Sequence, residues 1–125
     1  MERSRFLFAY SSRYEVMIEI IEVDEGFGIA FDAEGFMDEY LAKLARYARR
    51  FAVSISPVVT GSYRDAHEVF FRGGTAILRI DPRATNRGQP VERYAANVED
   101  IHKVYFRTEI YAESVKNRMV VNYGN

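Results

Sequence analysis

The feature that most restricts this chain is the break Pro57-Val58-Val59-Thr60-Gly61, which ends a long amphipathic segment and precedes two strand-like runs joined by Gly73-Gly74. Pro57 biases Ser56 away from helical angles, so a helix upstream must stop before it. Thr60 can bond locally to backbone and Gly61 accepts angles closed to other residues, a combination that turns the chain sharply from a helix exit into a strand. A long helix followed by a hairpin points to an α+β domain.

The helix is expected over about 33–52. Met37, Leu41, Leu44, Ala48 and Phe51 recur at steps of four, three, four and three, which places them on one face at the 3.6-residue period. Asp32 is positioned to cap the start, Asp38 and Glu39 fall early, and Lys43, Arg46, Arg49 and Arg50 fall late, opposing the backbone dipole. Phe36, Tyr40 and Tyr47 widen the apolar stripe. Either the helix is buried on two sides, or a neighbouring subunit covers the second.

Upstream, Val16, Ile18 and Ile20 alternate within a run rich in β-branched residues, so 16–23 reads as a strand, with Gly26-Phe27-Gly28 as a turn or bulge after it. Downstream, 63–72 and 75–81 read as a hairpin, because Gly73-Gly74 accepts positive φ at both central positions of a two-residue turn. Ala76, Leu78 and Ile80 then face inward, and Thr75, Ile77, Arg79 and Asp81 outward. Residues 82–90 hold turn formers with Arg83 and Arg87, an exposed loop able to contact a partner. Apolar positions from 91 to 114 step by three or four, which predicts a second helix or helix pair broken near 104–107, and 119–123, ending at Tyr123, reads as a short strand. The expected architecture is a small, mostly antiparallel sheet with a Gly-Gly hairpin, packed against one long helix and a second, C-terminal helical segment. One domain covers 17–125, preceded by an extension or arm over 1–16.

Composition narrows the chemistry. A chain of 125 residues without cysteine forms neither a disulfide framework nor a thiolate metal site. Seventeen basic against eighteen acidic residues leave none of the broad positive footprint of a nucleic-acid binder. The apolar run Phe6-Leu7-Phe8-Ala9-Tyr10 is interrupted by Ser11, Ser12 and Arg13, and no stretch approaches the roughly 18 apolar residues that span a bilayer, so a soluble, non-exported protein with no membrane partner is expected. His67 and His102 stand near carboxylates, yet neither has the two-histidine helical spacing of a catalytic metal site. On a strand Asp65 and His67 would share a face, but no serine or cysteine is evidently placed beside them. Gly26-x-Gly28 lacks the third glycine of a dinucleotide loop. The expectation is therefore no catalytic residue, no metal and no cofactor.

The succession of a helix ending in basic residues, Pro57-x-x-Thr60-Gly61, a glycine-turned hairpin and Tyr94-Ala95-x-x-Val98-Glu99 resembles the tail-completion and neck (head-tail joining) protein family of tailed bacteriophages. The resemblance covers roughly 29–108. It implies a small α+β structural virion protein, made in the host cytoplasm, that assembles as a homo-oligomeric ring joining tail to head and touches other phage neck or tail proteins. DNA would at most pass through the lumen without specific binding. Within the shared pattern, Tyr94, Ala95 and Val98 are expected to pack a helix, and Glu99 to cap one or bridge to an arginine. The alternative is a small monomeric binding or regulatory domain, such as a toxin-like or inhibitory protein.

Charge patterning adds a candidate mechanism of assembly. Between Glu15 and Glu25 there are acids, Glu19 and Glu22 among them, and no base, whereas Arg46, Arg49 and Arg50 cluster on the helix. Solvated faces explain both. In a ring, however, an acidic patch on one copy would meet the basic patch on the next and favour ordered encounter. The abundant tyrosines are expected to supply surface that other copies cover.

Overall fold

The computed structural model describes residues 16–23, 26–33, 38–58 and 61–124, with side chains as far as Arg118 and without that of Asp38. Residues 1–15 of the arm proposed over 1–16 lie outside these residues, as do Phe36, Met37, Thr60 and the side chain of Tyr123, whereas Val16 belongs to the first strand.

β1 (Val16–Val23) has the expected bounds, and it is followed by a second strand, β2 (Gly26–Ala33), rather than by a bulge. Gly26-Phe27-Gly28 misleads because glycine usually punctuates a strand. Here Gly28 pairs with Arg79 in the sheet, and a Cβ on it would sit 2.5 Å from the Leu78 carbonyl oxygen. The bare backbone is needed for close approach between strands.

α1 (Asp38–Ile55) starts later and ends later than predicted. Asp32 belongs to β2, where its carboxylate accepts the Ala33 N–H and the Thr75 hydroxyl, so it does not cap α1. The late arginines fall in the middle of the helix and its last turn holds no base, which removes their expected role against the dipole.

A short helix α2 (Ser62–Asp65) occupies what the sequence assigns to the hairpin's first strand, with Gly61 at φ 89° before it. β3 (His67–Arg72) and β4 (Thr75–Ile80) then form the predicted hairpin, and Gly73 and Gly74 both have positive φ, at 58° and 89°. Asp65 is thus helical and shares no strand face with His67.

The loop after β4 contains a two-residue ladder, β5 (Thr85–Asn86) against β6 (Gln89–Pro90), turned by Arg87 and Gly88 at positive φ. A 3-10 turn (Val91–Tyr94) leads into α3 (Ala95–His102), Lys103 breaks the path at φ 55°, and α4 (Val104–Gly124) follows. The strand expected over 119–123 is part of α4. Tyr105, Thr108, Ala112 and Val115 form a buried stripe at helical spacing, and that packing upstream carries the β-branched tail along in the same helix.

The four long strands form one antiparallel sheet in the order β1-β2-β4-β3, leaving β1 and β3 as its edges. Register puts Ile20, Ile29, Leu78 and Val69 in one cross-strand row and Ile18, Phe31, Ala76 and Phe71 in the next. Both rows lie on the face that α1 and α4 cover. Leu41, Leu44, Ala45, Ala48 and Ala52 of α1 are buried against it, and the three alanines let helix and sheet backbones come close.

The second side of α1 is covered from within the chain. Phe51 stacks on Tyr111 of α4 at 4.2 Å between centroids, and the Tyr40 hydroxyl donates to the Lys116 carbonyl. Ile77 lies on the sheet's other face, as its alternation with Ala76 and Leu78 predicts, but is buried there, while the Arg79 guanidinium lies 4.2 Å over Phe70.

Candidate functional site

Three places carry chemistry: a buried polar chain behind β3 and the two edges of the sheet. The buried chain begins at Ser56, which ends the α1 region. Its hydroxyl donates to the Ala52 carbonyl at 2.6 Å, and its oxygen lies 2.8 Å from His67 Nε2; His67 Nδ1 lies 3.1 Å from the Tyr105 hydroxyl.

Since the Ser56 proton is committed to Ala52, His67 Nε2–H donates to Ser56, and Tyr105 O–H donates to Nδ1. Every member is satisfied. His67 and Tyr105 are 2% and 0% exposed. Burial, assisted by the charge of Arg49, lowers the His67 pKa from 6.5 to about 4, so the imidazole is neutral near pH 7. Burial also holds the Tyr105 phenol well above its usual range.

A serine beside a histidine was not foreseen from the sequence, because the two stand eleven positions apart with a short helix between them. The polarity of the bonds is nonetheless opposite to nucleophile activation. There the serine gives its proton to the imidazole, whereas here the imidazole gives one to the serine. The arrangement locks α1, β3 and α4 together.

The β3 edge is basic. Arg46, Arg49 and Arg50 project at three- and four-residue spacing from α1, and with His67, Glu68 and Val69 they line an open pocket of about 580 Å³. Arg49 is half-buried and fixed, its Nε donating to the His67 carbonyl at 2.8 Å. Arg50 lies 4.9 Å over the Tyr47 ring, and Arg46 is exposed. Glu68, the acid in this lining, is already paired with Arg79 at 3.0 Å and Arg83 at 3.5 Å. Phe71, 43% exposed, supplies an apolar surface on the same strand.

The β1 edge is acidic. Glu19 and Glu22 are exposed on β1, and α4 brings Glu109 and Glu113 beside the strand. Their proximity registers in Glu109, whose carboxyl pKa is raised by burial first and then by the charges of Glu113 and Glu19, against a hydrogen bond from the Ile20 N–H. Lys116 donates to the Val16 carbonyl at 3.3 Å and pairs with Glu113 at 2.8 Å. Around these charges Ile20, Phe106 and Ile110 are 39%, 53% and 56% exposed.

The two edges therefore pair an apolar centre with rims of opposite sign. The tyrosines with described side chains do not form the expected outer surface, since Tyr40, Tyr63 and Tyr105 are buried and Tyr47, Tyr94 and Tyr111 half-buried; Tyr10, Tyr14 and the side chain of Tyr123 lie outside the described residues.

The other positions singled out in the sequence are structural. Pro57 follows α1 and Gly61 opens α2; Ala95 is buried, and Tyr94 and Val98 pack against the core. Glu99 is a cap, its two carboxylate oxygens accepting the N–H groups of Tyr105 and Phe106 at 2.7 and 2.8 Å at the start of α4. Arg83 is tied to Asp81 and Glu68, holding the loop to the sheet, and the Asp81 carboxyl is lowered by those hydrogen bonds. Arg87 remains exposed at its turn.

Among the described residues no three His, Asp or Glu side chains converge as metal donors, and no helix is long and apolar enough to cross a membrane. Comparison with protein-family models, with curated proteins and with solved structures finds no match.

Proposed function

We propose that this chain is a structural subunit of the head-tail junction of a tailed phage particle, self-associating into a ring and touching adjoining neck or tail proteins, without turnover. The observation that carries the proposal is the polarity of the sheet. One edge presents Ile20, Phe106 and Ile110 among carboxylates, and the other presents Phe71 among arginines.

A surface built this way has two different, mutually complementary ends. Repeating such a contact generates a ring when the rotation between copies closes, and a ring is the form a head-tail joint requires. Family resemblance in the order of helix, Pro57, Gly61, hairpin and Glu99 supports the same reading, and the exposed Arg87 turn is available to a different partner. DNA would cross the lumen without being read.

Mass spectrometry of purified phage particles from a host carrying the gene tests the proposal. The expected result is the chain present in several copies per particle. Particles lacking it would remove the virion role and favour a small binding or regulatory domain acting as a single copy.

A further inference from the structure

We infer that copies join head to tail, with the acidic β1 edge of one copy, which carries Glu22 on the helix-covered face and Glu19 on the other, set against the open pocket formed by Arg46, Arg49 and Arg50 on the β3 edge of the next. The inference rests on the self-association proposed above and specifies its partner surfaces.

Charge decides between the ways two copies could meet. A two-fold contact between β1 edges would set Glu19 and Glu22 against their own equivalents, and one between β3 edges would set the three arginines against three arginines. Like charges placed together cost several kcal/mol. Joining unlike edges removes that repulsion and steers the encounter.

Among the described residues the pocket is short of anions. Glu68, the carboxylate in its lining, is held by Arg79 and Arg83 on its other side. Arg49 is oriented by the His67 carbonyl, so part of the receptor is organised before a partner arrives.

Strand direction fits the same arrangement. Each neighbouring pair in β1-β2-β4-β3 is antiparallel, so β1 and β3 run in opposite directions. Copies repeated in one orientation therefore bring β3 of one antiparallel to β1 of the next. A continuous backbone ladder is nevertheless obstructed, because Lys116 holds the Val16 carbonyl, Glu109 takes the Ile20 N–H and Arg49 takes the His67 carbonyl. Side chains carry the contact, and the same three bonds protect both edges from indiscriminate strand addition. The apolar residues Ile20, Phe106 and Ile110 would then be covered opposite Phe71, and the acids would lie between copies instead of along the lumen.

The chain has no cysteine, so introduced thiols report only the intended contact. Glu22→Cys and Arg50→Cys are made singly and together and treated with a short bis-maleimide. Circular dichroism confirms the fold, and light scattering gives the mass before linkage.

The double variant should yield a ladder of covalent multimers, and neither single variant should link to itself. In parallel, Arg46→Glu with Arg50→Glu should weaken association on the order of a hundredfold, and adding Glu19→Arg with Glu22→Arg should restore it. Linked dimers from a single variant, or multimers by light scattering that neither link in the double variant nor respond to charge reversal, overturn the head-to-tail contact while leaving self-association standing. A wild-type chain that stays single-copy at every concentration overturns both.

Discussion

Between pH 6.5 and pH 4, acid should loosen this protein chiefly through His67, ahead of the lower range in which Asp81 titrates. The folded His67 pKa of about 4 lies below the ordinary 6.5, so between these values the unfolded chain binds a proton that the folded chain refuses. Stability therefore rises with pH through this window: it is fully present above about pH 6.5 and is lost as pH falls toward 4. A 1.36 kcal/mol cost per unit of pKa makes the full loss about 3 kcal/mol, most of it gone by pH 4.5.

The structural cause is explicit. Protonation places a second N–H on the ring, at Nδ1, where the Tyr105 hydroxyl now donates, while Arg49 stands near as a like charge. Glu109 works in the opposite sense, since a raised folded carboxyl pKa stabilises the acid side, so the wild-type profile alone mixes signs. Comparing His67→Gln with wild type by urea unfolding at pH 7 and pH 4.5 isolates the histidine. The variant should be weaker at pH 7 yet lose about 2 kcal/mol less than wild type between pH 7 and pH 4.5. Equal losses in both proteins would refute the assignment of the acid sensitivity to His67.

Other perturbations follow from single contacts. Glu99→Ala removes both acceptors at the start of α4 and should cost about 1–2 kcal/mol in chemical denaturation, with Glu99→Gln retaining part of it. Gly28→Ala drives a Cβ toward the Leu78 carbonyl oxygen and should lower the thermal midpoint more than Gly74→Ala, whose added atom meets only open space and pays for its positive φ with roughly 1–2 kcal/mol. Among the described residues the buried Tyr63 hydroxyl has no hydrogen-bond partner, so Tyr63→Phe should be neutral or stabilising by up to about 1–3 kcal/mol in the same unfolding assay; a clear loss would mean that the hydroxyl is satisfied.

How much was legible in the chain divides by the range of the interaction that decides each element. Gly73-Gly74 named its hairpin because a two-residue turn with positive φ is a local demand. Val16–Val23 declared itself by β-branching, and the helix by Leu41, Leu44 and Ala48 at 3.6-residue spacing. Failures came where a distant group ruled.

Gly28 looked like punctuation, but it answers to Leu78 across the sheet, and once Gly26–Ala33 is a strand, Asp32 is no cap and α1 begins later. Val120 and Val121 have strand propensity, yet they continue a helix anchored by Tyr105 and Ala112. Ser56 gave no sign of meeting His67, since that contact exists only after α1 packs on β3. The charge clusters were visible as runs. Their position on opposite edges of one sheet required the strand order, which no periodicity encodes.

Self-association through oppositely charged edges is most directly tested by the solution mass of the unsubstituted chain, measured by light scattering across protein concentration at about 0.05 M and about 0.5 M salt, where screening lengths differ severalfold. The account predicts a discrete multimer at low salt whose association constant falls as salt rises. A single-copy mass at both salts and at every concentration would contradict it.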